Sequence, residues 1–93
     1  MTEAISTVGL LIQQYGPRAV VPLEDVCRDY FSHLTPDKFL RKVAYGEIAI
    51  PVIRIELSQK CQKGIHIQDL ADYIDKRRAA ALKELRQLHN LDR

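Results

Sequence analysis

The sequence predicts an α+β fold, a winged helix-turn-helix with a two-stranded wing, plus an N-terminal helix and a long C-terminal helix. Three observations lead to it. Two short segments with helical apolar spacing are joined by a brief connection. Alternation replaces that spacing in Ile48 to Leu57, and a long amphipathic pattern begins at Ile67. We expect a single domain over residues 1–93, with the N-terminal helix at 1–16, the helix-turn-helix and wing at 20–67, and the C-terminal helix at 67–91.

The first two helices are predicted from their apolar spacing and their boundaries. Apolar residues of Thr2 to Tyr15 recur on one helical face, and Gly16-Pro17 ends the pattern. The second helix is expected over about Pro22 to Phe31, with the proline in the first turn. Between these helices, Ala19 to Val21 is short and largely β-branched, which favours a brief extended stretch.

The third helix has a clear start signal and a two-sided pattern. Thr35 supplies an N-cap hydroxyl, Pro36 follows at the first helical position, and the helix is expected to end near Gly46. Phe39 and its helical neighbours Leu40 and Val43 are predicted to face inward, with Ala44 at the edge of that face. The opposite face carries four residues at spacing i, i+3, i+4 and i+7: Lys38, Arg41, Lys42 and Tyr45.

That exposed face has the chemistry that a helix in a DNA groove requires. An arginine can bind the edge of guanine, and lysine can bind a base acceptor or a phosphate. Residues in the first turns of a recognition helix tend to reach base edges. We therefore expect Lys38 and Arg41 to contact DNA bases. Lys42 and Tyr45 are expected to contact the sugar-phosphate backbone of DNA. The competing interpretation is an ordinary solvated helix face.

A hairpin with a basic tip is predicted after Gly46. Ile48 to Leu57 forms one strand, the polar stretch Ser58 to Gly64 turns the chain, and Ile65 to Ile67 returns as the second strand. Pro51 indicates an edge position for the first strand. The hairpin supplies cations and neutral donors for phosphates: Arg54, Ser58, Gln59, Lys60 and Lys63.

The last segment is predicted to be a helix whose apolar pattern extends beyond the expected core. Residues up to Ile74 should seal that core, whereas Leu82, Leu85, Leu88 and Leu91 project beyond it. Together with the apolar face of the first helix, these leucines make a homodimer a reasonable expectation. The alternative is that the two terminal helices pack on each other within one chain.

Composition and charge exclude several classes of protein. The net charge is +2, but residues 1–34 hold two basic against four acidic residues, and the rest holds twelve basic against eight. A positive region suits a polyanionic partner such as double-stranded DNA. No apolar run is long enough for a membrane span, Glu3 lies where a signal peptide would be basic, and the expected location is the cytoplasm. The two cysteines and three histidines are scattered, and no catalytic motif stands out, so neither a metal, a cofactor nor an enzyme is expected.

Several segments resemble the pyocin activator protein family, the PrtN-type transcriptional regulators of phage-tail-like bacteriocin clusters. The stretches that carry the resemblance are Val20 to Phe31, L-T-P-x-K at the third helix, I-P-V-I-R-I, S-Q-K, and HIQDLADYIDKRR from His66 to Arg78. More distantly, the layout is similar to AlpA-type, excisionase and MerR N-terminal domains. The resemblance implies a DNA-binding activator of prophage or bacteriocin genes that recognises a promoter element. RNA polymerase is a further candidate partner of such an activator.

Two other functions remain open from the sequence. One is an excisionase-like architectural protein that bends DNA without controlling a promoter, which would use the same contact residues. The other is a helical protein-interaction module without DNA affinity, in which the amphipathic first and last helices bind a partner.

Overall fold

The computed structural model of the chain describes residues 5–58 and 61–90. Within them the fold is α+β, with four helices and one antiparallel sheet of three short strands in the order β1-β3-β2. The elements are α1 (Thr7–Tyr15), β1 (Val20–Pro22), α2 (Leu23–Tyr30), α3 (Pro36–Ala44), β2 (Ile53–Arg54), β3 (Lys63–His66) and α4 (Ile67–Asn90).

Both early helices begin later than their apolar spacing indicates. Ser6 is extended and its hydroxyl accepts a hydrogen bond from the Gly9 N–H (3.1 Å), so α1 starts at Thr7, inside the predicted stretch; Thr2, where that stretch begins, lies outside the described residues. Pro22 ends β1 instead of opening the first turn of α2. Apolar spacing locates the buried face of a helix, but a local cap decides where the helix begins.

The predicted first strand of the hairpin is wrong in extent. Only Ile53 and Arg54 pair with β3, whereas Ile48 and Ile50 are buried in the core without belonging to a strand. Pro51 has no N–H to donate to a ladder. Moreover, β3 has only four residues before α4 begins at Ile67, so it offers little length for pairing.

The sheet has a third strand in addition to the predicted two. Val20, Val21 and Pro22 of β1 pair with His66, Ile65 and Gly64 of β3. The two strands approach so closely that a Cβ on Gly64 would lie 2.5 Å from Val20 Cγ1 and 2.8 Å from the Val21 carbonyl oxygen. The short extended stretch expected at Ala19 to Val21 is therefore a strand, and glycine at position 64 permits its pairing.

The core is closed by α2, α3, the sheet and the first half of α4. Its fully buried side chains are Val21, Val26, Phe39, Ile65 and Leu70. The ring of Phe31 packs edge-on against that of Phe39, with centroids 4.9 Å apart, and links α2 to α3. Helix α1 packs against α4, and Thr7 Oγ1 donates to Asp75 Oδ1 (2.5 Å). The terminal helices thus meet within one chain along the first half of α4.

Candidate nucleic-acid interface

The start of α3 is fixed by the two residues that the sequence singles out. Thr35 is extended, its Oγ1 accepts a hydrogen bond from the Lys38 N–H (3.2 Å), and Pro36 occupies the first helical position. The Thr35 side chain is exposed, and its hydroxyl proton remains able to donate to an external acceptor. The cap therefore sets the first turn of α3 while leaving a donor at its N-terminus.

The outward face of α3 carries Lys38, Arg41 and Tyr45. All three are exposed, and Tyr45 is 72% exposed. Within residues 5–58 and 61–90, neither the Lys38 ammonium nor the Arg41 guanidinium has an ion-pair or hydrogen-bond partner. Phe39, completely buried on the opposite face, anchors the helix. These three polar groups are therefore free to meet a ligand.

Lys42 differs from the other members of the predicted exposed face. Its Nζ lies 3.0 Å from Glu47 Oε1, and its side chain is 41% exposed. The chain reverses at Gly46 (φ 77), where the Glu47 N–H donates to the Lys42 carbonyl oxygen (2.8 Å) and brings Glu47 back beside the helix. Lys42 thus lies at the edge of the face with much of its charge compensated. Ala44 is exposed, so its expected place at the edge of the inward face is wrong.

The hairpin brings two further cations to α3. Arg54 of β2 lies opposite Lys63 of β3, and directly opposed residues of an antiparallel pair project from the same face. Both side chains and that of Arg41 line a groove of about 530 Å³ between the helix and the hairpin. The rest of its wall is mainly apolar and includes one carboxylate: Asp37, Leu40, Val43, Ala44 and Val52. Three cations from separate elements therefore surround one concave surface.

Only part of the predicted basic tip can be located. Gln59 and Lys60 lie outside the described residues, whereas Ser58 is exposed on the tip and its carbonyl oxygen accepts from the Cys61 N–H (3.3 Å). Cys61 is half-buried, and its thiol donates to the Glu56 carbonyl oxygen (3.0 Å). Hydrogen bonds therefore connect the two described sides of the tip, residues 56–58 and Cys61.

Arg18 is a cation beside the hairpin that sequence reasoning missed. It lines a cleft of about 350 Å³ together with Ile55 and Gln62, and Val20, Pro22, Lys63 and Gly64 complete that cleft. Arg18 reaches this position because β1 pairs with β3. The β-branched pair before Pro22 was the available signal, but nothing in the sequence specified its partner strand.

The groups with shifted pKa values lie on α1 and α2. The Asp29 carboxylate accepts hydrogen bonds from Arg28 Nε (3.0 Å), the Tyr15 hydroxyl (2.6 Å) and the Gln14 amide (3.3 Å). These donors, Arg28 foremost, lower the pKa of Asp29. Burial, followed by the bond to Asp29, raises the pKa of Tyr15. Burial also raises the pKa of the Cys27 thiol. The Asp29 contacts connect the end of α1 to α2 and belong to the scaffold.

The described residues contain neither a metal-binding cluster nor a helix that could span a membrane. No group of three or more His, Cys, Asp or Glu side chains there is arranged to hold a metal ion. Over the same residues, no helix has the length and apolar character that a membrane crossing requires.

Comparison with known proteins identifies a family for this chain. The family model described as pyocin activator protein PrtN matches residues 7–81, well over half of the sequence. The match runs from the start of α1 into α4 and includes α3, the hairpin and the groove between them. No curated protein and no solved structure matches the chain.

Proposed function

The chain belongs to the pyocin activator protein family, and from that premise we propose that it is a sequence-specific double-stranded DNA-binding protein that activates transcription. The proposal rests chiefly on one observation, the convergence of Arg41, Arg54 and Lys63 around the groove between α3 and the hairpin. The protein then acts by binding, without catalysis, and its fold serves as a winged helix-turn-helix.

In this proposal α3 enters the major groove of DNA. The helix has nine residues and is therefore about 14 Å long, which is suited to reading a few base pairs of a groove roughly 12 Å wide. Lys38 and Arg41 lie in its first two turns, where side chains of recognition helices reach base edges. Tyr45 lies at its C-terminal end and is placed to bind a phosphate or a thymine methyl group.

The hairpin serves as the wing and binds the phosphate backbone. Arg54 and Lys63 supply the charge, with Ser58, Gln59 and Lys60 as additional donors. Arg18 extends the cationic surface to the other side of the hairpin. Thr35 binds a phosphate at the N-terminus of α3, where backbone N–H groups and the helix dipole favour an anion.

We further propose that the protein binds DNA as a homodimer. A single small module buries only about 600–1,000 Å² on DNA, and a second copy doubles that contact. Leu85 and Leu88 continue the apolar stripe of Leu70 and Ile74 along α4, yet they are 51% and 67% exposed. This uncovered end of α4 is the proposed contact with the second copy.

The proposed targets are phage-derived or bacteriocin genes, as the description of the family indicates. An activator bound at such a promoter acts on the enzyme that transcribes it, so RNA polymerase is the expected protein partner.

Selection of bound sequences from a random pool of duplexes tests this function directly. We expect enrichment of one motif, and a repeated or palindromic motif if two copies bind. The matched control is the Arg41→Ala variant, which should enrich a motif with one position relaxed. Recovery of unenriched sequences by the native protein would contradict sequence-specific binding.

A further inference from the structure

The tip of the hairpin presents a fully exposed leucine beside its cations. Leu57 is 96% exposed, the highest value among the large hydrophobic side chains in the described part of the chain. Ile55, two residues earlier, is 64% exposed. A single exposed leucine is common on protein surfaces. What distinguishes this one is its place at the end of an element whose base bears Arg54 and Lys63.

The backbone around Leu57 forms a defined turn. The Ile55 N–H donates to the Gln62 carbonyl oxygen (3.3 Å), which continues the pairing of the hairpin past β2 and β3. Beyond it, Cys61 donates through its N–H to the Ser58 carbonyl oxygen and through its thiol to the Glu56 carbonyl oxygen. Leu57 lies between these two acceptors, so the turn holds its side chain away from the core.

Leu57 is close in the chain to the cation of β2. Leu57 lies three residues beyond Arg54, so the two residues are separated by at most about 10 Å of chain. When Arg54 and Lys63 bind phosphates at the edge of the major groove occupied by α3, the tip of the hairpin lies towards the adjacent minor groove. That groove is roughly 6 Å wide and admits an aliphatic side chain.

We propose that Leu57 is an apolar wedge that enters the minor groove of bound DNA, partly unstacks one base step and bends the duplex. Minor-groove proteins use leucine and isoleucine in this way, and the resulting kinks amount to roughly 20–90°. The inference rests on the proposed function, since it takes the orientation of the hairpin from DNA bound along α3. It adds a source of sequence preference, because pyrimidine–purine steps unstack most easily.

The choice of DNA as the occupant follows from charge. Arg54 and Lys63 flank the approach to the tip, Arg18 lies on its other side, and Glu56 is the one acidic residue among the described tip positions 55–58 and 61–62. A polyanion is the partner that such surroundings favour. Contact of Leu57 with a protein remains an outcome that the experiment can reveal.

The test measures bending and base stacking on the duplex selected by the native protein. The bend is obtained from energy transfer between dyes at the two ends, and unstacking from the fluorescence of 2-aminopurine placed at successive flanking steps. Both are recorded at saturating protein for the native chain, Leu57→Met, which keeps an apolar wedge, and Leu57→Ser, which removes it. Leu10→Ser, an equally drastic change at an exposed leucine of α1, is the matched control.

We expect the native protein, Leu57→Met and Leu10→Ser to bend the duplex and to raise 2-aminopurine fluorescence at one step. Leu57→Ser should lose both signals while circular dichroism shows it folded. Equal signals in the serine and methionine variants, or straight DNA with the native protein, would overturn the wedge. Absence of binding by the native protein to any duplex would instead overturn the proposed function.

Discussion

Arg54 lies directly opposite Lys63 in the antiparallel pair of β2 and β3. Like charges in this relationship repel across the strands and destabilise the pairing. Both side chains also line the groove that Arg41 borders from α3. In the proposed complex, a phosphate group bound between them would offset this repulsion.

The first prediction concerns the salt dependence of DNA binding. Lys63→Ala and Arg54→Ala should each weaken binding to all duplexes and reduce the slope of log K against log salt by about one, because each removes one phosphate contact. Lys60→Ala is expected to do the same. Lys83→Ala, at an exposed lysine in the C-terminal half of α4, is the control and should leave the slope unchanged. Fluorescence anisotropy measures these slopes. If the hairpin variants and the native protein have the same slope, the hairpin does not contact DNA phosphates.

The second prediction separates base contact from phosphate contact on α3. Arg41→Ala should cost about 1–3 kcal/mol on the selected site and relax the preference at one base position. Lys42→Ala is the control, because its ammonium already pairs with Glu47 at 3.0 Å, and we expect a smaller loss without a change of preference. If Arg41→Ala lost as much affinity on random duplexes as on the selected one, Arg41 would contact phosphate only.

The third prediction tests the β1–β3 pairing. Gly64→Ala should lower the free energy of unfolding by about 1–3 kcal/mol, since its methyl group would overlap Val20 and the Val21 carbonyl oxygen. Gln62→Ala keeps the backbone acceptor and changes an exposed side chain, so it should be nearly neutral. Urea titrations of both variants provide the measurement. Equal stability of the two would mean that β1 does not approach β3 so closely.

The fourth prediction is a pH dependence of stability from Asp29. Its folded-state pKa lies below the unfolded value near 3.8, so the stabilisation is present above about pH 4 and is lost as the pH falls through the folded pKa. Asp29→Asn should therefore be less stable than the native chain at pH 7, with the difference shrinking below pH 4. Tyr15→Phe removes the bond at 2.6 Å and should lose stability at pH 7 as well. If the difference in stability between the native chain and Asp29→Asn stayed constant from pH 7 to pH 3, ionisation of Asp29 would not contribute to the stability of the fold.

The fifth prediction addresses the second copy. Leu85→Ser combined with Leu88→Ser should convert a dimer into a monomer, because both side chains lie exposed on the proposed contact. Light scattering at micromolar concentration measures the change, and Leu10→Ser, at an exposed leucine of α1, is the control. A monomeric native protein would refute the dimer without affecting DNA binding by one copy.

The parts of the fold that local chemistry determines could be predicted from the sequence. Thr35-Pro36 specified the start of α3 because a cap and a proline act on their immediate neighbours. The apolar stripe from Ile67 likewise predicted a long helix, and α4 spans Ile67–Asn90. Family membership was also predictable from short segments, and the match over residues 7–81 confirms it.

The features that could not be predicted from the sequence depend on contacts between residues that are distant in the chain or separated by a turn. The partner of β1 is set by the absence of a side chain at Gly64, more than forty positions away. Arg18 joins the hairpin only through that pairing. The ammonium of Lys42 forms an ion pair because the turn at Gly46 brings Glu47 back beside α3. A helical wheel gives the direction of Lys42 but not the neighbour that meets it.

The central claim is specific binding of duplex DNA by α3 and the hairpin, and fluorescence anisotropy tests it most directly. The native protein is titrated at about 0.15 M salt against a labelled duplex carrying the selected site and against a shuffled duplex of the same composition. We predict that the selected site binds at least roughly 10³-fold more tightly. Equal affinity for the two duplexes, or no binding to either, would contradict the claim.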